Sequence, residues 1–159
     1  MRRFGSEPPG QGHPSPLTVL SPDLAAGAFP TEFTCDGATG APACSGARRR
    51  RAPRNWPFRC STPTPGGTFT HWLVYGIPPG ISSMAAAPAG AAQGVNGFGR
   101  RGYGGPRPPR GAAHHYHLVV LALDTRLGLA AGARRFDLES RISGHVLARG
   151  ELVAIYQRA

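Results

Sequence analysis

Two stretches of this chain decide its fold: residues 68–75 read TFTHWLVY, and residues 114–123 read HHYHLVVLAL. Each begins with polar side chains and continues as an apolar run of the kind that forms a buried strand. The second run is apolar on both faces after Tyr116, which predicts that it lies in the middle of a sheet. Both runs therefore predict strands that carry chemically active side chains at one end.

Length and composition favour a single β-rich domain. The chain has 159 residues, enough for one core, and its 23 glycines and 17 prolines favour turns over long helices. We expect a disordered leader over residues 1–16 and one domain over residues 17–159. Within the domain the pattern predicts further extended segments and one helix: Leu17–Leu20, Phe29–Gly37 closed by an Asp-Gly turn, Glu151–Tyr156, and a helix capped by Asp137 that runs to about Leu147 with Leu138, Ile142 and Val146 on its inner face.

Charge and cysteine content exclude several classes of protein. The formal net charge is +10, but all 18 basic residues are arginine and six of them lie between Arg48 and Arg59. The excess charge is thus mainly local. Three cysteines with no CxxC pair predict neither a disulfide framework nor a zinc site. No apolar run approaches the length of a membrane span, and we expect a cytoplasmic protein.

Residues 44–65 break the pattern of the rest of the chain. The segment ARRRRAPRN at 47–55 has no apolar period and no acidic residue. The stretch STPTP at 61–65 is predicted not to be a central strand, because proline donates no ladder hydrogen bond. The sequence therefore predicts a basic loop of about twenty residues here, which is long for a compact domain.

Four segments resemble the phosphatidylethanolamine-binding protein family, in its bacterial Raf kinase inhibitor-like branch. They are LSPDLAAGAFPTEFTCDG at 20–37, the His71-Trp72 strand, YGGPRPPRG at 103–111 and GHVLARGELVAIYQR at 144–158. The resemblance implies a mainly β fold, an antiparallel Greek-key β-sandwich with a short C-terminal helix. It also implies a non-enzymatic binding protein with a pocket for a small anion or phosphate headgroup, and the chain has no GxSxG elbow, paired carboxylates or P-loop.

The resemblance also proposes the binding residues. His71 matches the histidine of the family's His-Trp pair, and His114 and Tyr116 match the His and Tyr of its Gly-x-His-Arg-Tyr motif. Strand alternation puts His114 and Tyr116 on one face, where two imidazoles and a phenol can converge on an anion. The loop residues Gly105, Pro106 and Pro109 would form the rim. No metal and no cofactor are predicted, and the ligand would be a small anionic or phosphorylated group, with a phosphoprotein as a further partner.

The family motif Asp-Pro-Asp-x-Pro is missing from the anomalous segment, and a shifted reading frame would account for it. One base lost near Ala43 makes Asn55-Trp56-Pro57 encode Leu-Ala, and residues 61–65 can then encode Asp-Pro-Asp-Ala-Pro. On this hypothesis the frame is restored near Pro65-Gly66 and the arginine run has no function. A chain without the missing strand and carboxylate is expected to fold poorly and to bind weakly. The alternative is a genuine basic loop that binds nucleic acid or an acidic protein.

Overall fold

The computed structural model describes residues 13–38, 40–46 and 54–159. Strands make up most of the regular secondary structure of these residues, and two short 3-10 turns at Pro22–Leu24 and Thr31–Phe33 precede the longer strands. The strands and the helix are, in chain order, β1 Ser15–Pro16, β2 Val19–Leu20, β3 Cys44–Gly46, β4 Trp56–Thr64, β5 Gly67–Ile77, β6 Ser83–Met84, β7 Ala92–Gln93, β8 Ala113–Leu123, α1 Arg135–Ile142 and β9 Val146–Gln157.

These strands form two sheets. The larger has the order β1-β9-β8-β4-β5-β7, and the smaller has the order β2-β3-β6. Pairing is antiparallel except between β1 and β9, where Ser15 lies beside Ala148 in parallel register. The predicted fold class, mainly β with a short helix, is confirmed.

Strand β8 is central, as predicted. It pairs with β9 from Ala113 to Leu123 and with β4 from His117 to Val120. A strand with neighbours on both edges and packing on both faces needs apolar side chains in both alternating positions, and the run from Leu118 to Leu123 supplies them. The remaining long strand, β5, lies on the other side of β4.

Each face of the larger sheet buries its own apolar cluster. Trp72, Val74, Tyr116 and Leu118 belong to the larger cluster, which includes Cys44 of the small sheet. The opposite face carries the smaller cluster, to which α1 contributes one side chain. The buried members of this cluster are Leu73, Tyr75, Leu123, Leu127 and, from α1, Leu138. The alternation along β5, with Trp72 and Val74 in one cluster and Leu73 and Tyr75 in the other, shows that this strand also packs on both faces.

The anomalous segment is not a continuous loop. Strand β3 begins it, and β4 lies between β5 and β8, with Phe58 and Cys60 buried. Residues 47–53, which hold the Arg48–Arg51 run, lie outside the described residues. The prediction of a twenty-residue loop is therefore wrong.

The prolines in β4 lie at positions where the hydrogen-bond ladder of the sheet is irregular or has only one neighbouring strand. Pro57 lies at a register shift between Trp56 and Phe58, and Pro63 lies beyond Ser61, the last residue of β4 that pairs with β8. A proline at a bulge, or where only one neighbour remains, removes no central ladder bond. The structure has the central strand that the expectation of poor folding assumed to be missing, and poor folding itself stays a prediction.

Other predicted elements shift in place or kind. The segment Phe29–Gly37 contains a 3-10 turn instead of a strand.

The helix is shorter than predicted. It spans Arg135–Ile142 and ends before Gly144, whose φ of +80° interrupts the helix, so Val146 already belongs to β9. The N-cap position is Arg134, and Asp137 lies at the third helical position, where its carboxylate caps the helix by accepting a hydrogen bond from the Arg134 backbone N–H at 2.9 Å. Of the predicted leader, residues 1–12 lie outside the described residues, and Ser15–Pro16 already pair with β9.

Phe58→Ala tests whether β4 is a packed strand. The Phe58 ring packs edge-on against Trp72, with ring centroids 5.4 Å apart, and only 3% of the residue is exposed. We expect the substitution to lower the free energy of unfolding by about 3–5 kcal/mol in urea titrations. Phe136→Ala is the control, because Phe136 is 77% exposed and its loss should change stability by no more than about 0.5 kcal/mol. Equal, small effects in both variants would contradict the packing of β4.

Candidate functional site

Three predicted residues meet at one cavity of about 150 Å³. His71 reaches it from β5, and His114 and Tyr116 reach it from the start of β8, where alternation places them on the same face. The cavity lies at the end of β4 and is completed by a loop; its lining residues are Thr62, Thr64, Phe69, His71, Phe98, Arg107, Pro108, Pro109, His114 and Tyr116.

His71 is held in a fixed orientation. Its Nδ1 lies 2.8 Å from the carbonyl oxygen of Gly104, and the Gly104 N–H donates to the His71 carbonyl at 2.9 Å. Because a carbonyl can only accept, Nδ1 must carry the hydrogen. The neutral ring therefore has a lone pair, and no hydrogen, at Nε2.

The other ring nitrogen of His71 has no partner. Nε2 is buried and makes no hydrogen bond, although His71 lines the cavity. Aromatic rings surround the imidazole: Phe69 at 5.0 Å, Tyr116 at 5.2 Å and Phe98 at 6.1 Å between centroids. Burial lowers the pKa of His71 from its ordinary value, and the bond to Gly104 opposes this only in part. The site thus holds an uncharged imidazole with an unused acceptor.

Tyr116 keeps its hydroxyl proton. The residue is 1% exposed, and burial raises the pKa of its phenol, with smaller contributions from the nearby Cys60 and Cys35. Its hydroxyl is therefore available as a donor at neutral pH.

The remaining histidines of β8 divide between the faces as predicted. His114 lines the cavity, whereas the Nδ1–H of His117 donates to the Glu151 carboxylate at 2.6 Å across the pair with β9. His115 is exposed, and because it directly follows His114 on the strand, its side chain lies on the face away from the cavity. Strand alternation thus divided the histidines of β8 between two faces, and the resemblance to the family selected the face that lines the cavity.

The predicted rim residues have different roles. Pro109 lines the cavity, but Gly105 and Pro106 do not. Pro106 is fully buried, and its carbonyl accepts the Cys35 N–H at 3.0 Å. A Cβ on Gly105 would lie 2.8 Å from the Phe33 carbonyl oxygen, so only glycine fits there. These two residues fix the loop against the N-terminal turn and act on the site only through its position.

Several lining residues were not predicted. Phe69 lies two residues before His71 on β5, so alternation could have placed it on the same face. Thr62 and Thr64 fall in the segment predicted to be a loop; the Thr62 hydroxyl donates to the His115 carbonyl at 2.7 Å. Phe98 and Arg107 come from irregular backbone, where no periodicity signals which side chains point inward.

A larger cavity, of about 210 Å³, lies on the other face of the sheet beside α1. Arg59 lines it and donates to Glu139 at 2.6 Å, and Arg135 donates to the same carboxylate oxygen at 3.1 Å. Arg59 is therefore paired within the fold. The Arg48–Arg51 run that carries the nucleic-acid alternative lies outside the described residues.

Comparison with known proteins identifies the family. The sequence profile of the family described as Phosphatidylethanolamine-binding protein matches residues 59–157. This chain belongs to that family. A UPF0098 protein of Aquifex aeolicus is 38% identical over 139 residues, covering 82% of this chain and 81% of its own length.

Further relatives agree in fold and sequence. A UPF0098 protein of Pyrococcus horikoshii is 50% identical over 103 residues, and the match covers 59% of this chain and 52% of the relative. The chain thus spans about half the length of that relative. The crystal structure of a phosphatidylethanolamine-binding protein homologue from Chlamydia trachomatis superposes with a TM-score of 0.82 at 27% identity, covering 91% of this chain and 99% of the other.

Two further observations bear on ligands and location. Among the described residues, no group of three or more His, Cys, Asp and Glu side chains is placed to hold a metal ion. No helix in the described part of the chain has the length and apolar character that a membrane crossing requires. The cytoplasmic location remains a prediction.

The ionisation of His71 gives a direct test of the site geometry. Nitrogen-detected NMR should show the Nδ1–H tautomer and a pKa below 6.5, the ordinary value. Because the unfolded chain then binds the proton more tightly, His71 should reduce stability as the pH falls below about 6.5. His71→Gln should remove this part of the pH dependence in urea titrations. An Nε2–H tautomer, or an unchanged pH profile in the variant, would contradict the geometry.

Proposed function

We propose that this protein binds a small anionic group, such as a phosphate, in the cavity formed by β4, β5, β8 and the 96–109 loop, and that it does so without catalysing a reaction. The observation that carries the proposal is the buried, unpartnered Nε2 of His71. Buried polar atoms in folded proteins almost always have a partner, and an unpaired one on a side chain that lines a cavity is a candidate for binding a ligand.

The character of the lining supports an anion over a cation. Tyr116 offers a hydroxyl donor, and Arg107 places a permanent positive charge at the cavity. No Asp or Glu is among the lining residues that the structure describes. A guanidinium and a phenol hydroxyl are typical partners of phosphate and carboxylate oxygens.

The dimensions of the cavity limit the ligand. A cavity of about 150 Å³ is comparable to engineered cavities that take one benzene molecule. A phosphate with a short substituent is of this size, whereas an entire phospholipid is much larger. Only a phosphate group with a headgroup-sized substituent, or the phosphorylated side chain of a protein, would enter.

The wider proposal follows from the resemblance to the Raf kinase inhibitor-like branch. On that analogy the protein would act by binding phosphorylated partners. The family membership and the cavity support a ligand-binding role, and the analogy extends it to proteins that carry a phosphorylated side chain.

The reading-frame hypothesis forms part of the proposal, because it concerns the wall of this cavity. Five side-chain atoms in the described residues are buried without a partner, and three of them belong to Asn55, Trp56 and Arg59. Such local conflicts are rare in natural cores. Their concentration in five residues supports a strand whose original sequence was apolar. Sequencing the codons for Pro42–Thr68 tests this: a lost base and a later compensating change support it, and an intact frame refutes it.

Binding of inorganic phosphate to His71→Gln and Tyr116→Phe tests the proposed site. A hydrogen bond to a charged group contributes about 1.5–3 kcal/mol, so each variant should bind phosphate about tenfold more weakly or worse in calorimetric titrations.

His115→Gln is the matched control, since His115 is on the same strand but is exposed and outside the cavity. It should bind phosphate as the unmodified protein does. Unchanged affinity in all three variants would show that phosphate binds elsewhere, and no binding by the unmodified protein would refute the proposal.

A further inference from the structure

The fixed hydrogen bonds of His71 constrain which anions fit. We propose that the cavity selects phosphomonoesters over phosphodiesters, because its ligand is bound together with one proton at His71 Nε2. This inference rests on the proposed function. The residues that carry this inference, His71, Gly104, Tyr116 and Arg107, all lie outside the anomalous segment.

The imidazole ring of His71 cannot turn over, which would exchange the positions of Nδ1 and Nε2, without losing a hydrogen bond. Gly104 bonds His71 twice, through its own N–H to the backbone and through its carbonyl to Nδ1. A Cβ on Gly104 would lie 2.6 Å from the Phe98 ring, so the loop approaches this closely only because the residue is glycine. Turning the ring over would break the Nδ1 bond and leave the half-buried Gly104 carbonyl without this partner, at a cost typical of a lost hydrogen bond.

The groups that line the cavity together with His71 decide what its Nε2 can bind. Strand β4 contributes the hydroxyls of Thr62 and Thr64, β8 contributes His114 and Tyr116, and the loop contributes Arg107. Arg107 and Tyr116 can donate to bare anionic oxygens. The neutral Nε2 can only accept, and burial opposes its protonation. This atom therefore needs either a ligand that carries a hydrogen or a proton taken from solvent.

The proton balance separates the two classes of ester. A phosphomonoester has a second pKa of about 6, so its monoanion can donate a P–O–H hydrogen to Nε2. Equivalently, its dianion can accept from a protonated Nε2. Both complexes hold one proton more than the free dianion and neutral His71, and no bond to phosphorus forms or breaks.

A phosphodiester cannot meet the same requirement. It has no P–O–H group at neutral pH, and its oxygens would face the Nε2 lone pair unless His71 itself were protonated. Its single negative charge also stabilises an imidazolium less than a dianion does. We therefore expect the diester to bind only under more acidic conditions than the monoester.

Calorimetry with ethyl phosphate and diethyl phosphate tests the inference on the unmodified protein. Titrations at about pH 7.5, above the monoester pKa of about 6, are run in two buffers of different ionisation enthalpy. Ethyl phosphate should bind with uptake of close to one proton and at least about tenfold more tightly than diethyl phosphate. Equal affinities without proton uptake would overturn the inference and leave anion binding intact. Failure of both esters to bind would overturn the proposed function as well.

Two variants assign the proton. His71→Gln should abolish the uptake with ethyl phosphate, and the exposed His115→Gln should retain it. Uptake that persists in His71→Gln and disappears in His114→Gln would place the proton on the other lining imidazole and overturn the assignment to Nε2. Far-ultraviolet circular dichroism of each variant establishes that it is folded before its titration is compared.

Discussion

The candidate site depends on β8 being hydrogen-bonded along both of its edges. Strand β9 pairs with its whole length, and β4 pairs with the part from His117 to Val120. This double pairing fixes the register of His114 and Tyr116, so that both face the side from which His71 arrives on β5. A slip of one residue would turn both side chains to the opposite face. The geometry of the cavity is therefore a consequence of sheet register more than of the loop that closes it.

The loop contributes chemistry that the sheet cannot supply. Gly104 sets the tautomer of His71, and Arg107 provides charge at the cavity. The loop is held in turn by Pro106 and by Tyr103, whose hydroxyl donates to the Phe33 carbonyl at 2.6 Å. The N-terminal turn, the loop and β5 thus form one connected support for a single imidazole, which is buried, uncharged and left with one unused acceptor.

The sequence predicted the parts of the site that lie on regular strands. His71, His114 and Tyr116 follow strand alternation and the resemblance to the family, and the central position of β8 follows from its apolar residues on both faces. Phe98 and Arg107 could not be predicted, because irregular backbone has no period. The segment around β4 was predicted wrongly because proline was treated as excluding a strand, whereas Pro57 and Pro63 occupy a bulge and a singly paired end. Gly105 and Pro106 were correctly placed in the loop, but they support the cavity without lining it.

The central claim is that β4 completes the sheet between β5 and β8 and so brings the cavity walls together. Amide hydrogen exchange followed by mass spectrometry tests this on the unmodified protein, by comparing peptides from Trp56–Thr64 with peptides from Leu118–Leu123. Central strands exchange only through large openings, so the account predicts that the two sets are protected to a similar degree. Exchange of the Phe58–Ser61 amides at the rate of an unstructured chain would contradict it, because the cavity would then lack the strand that positions β5 against β8.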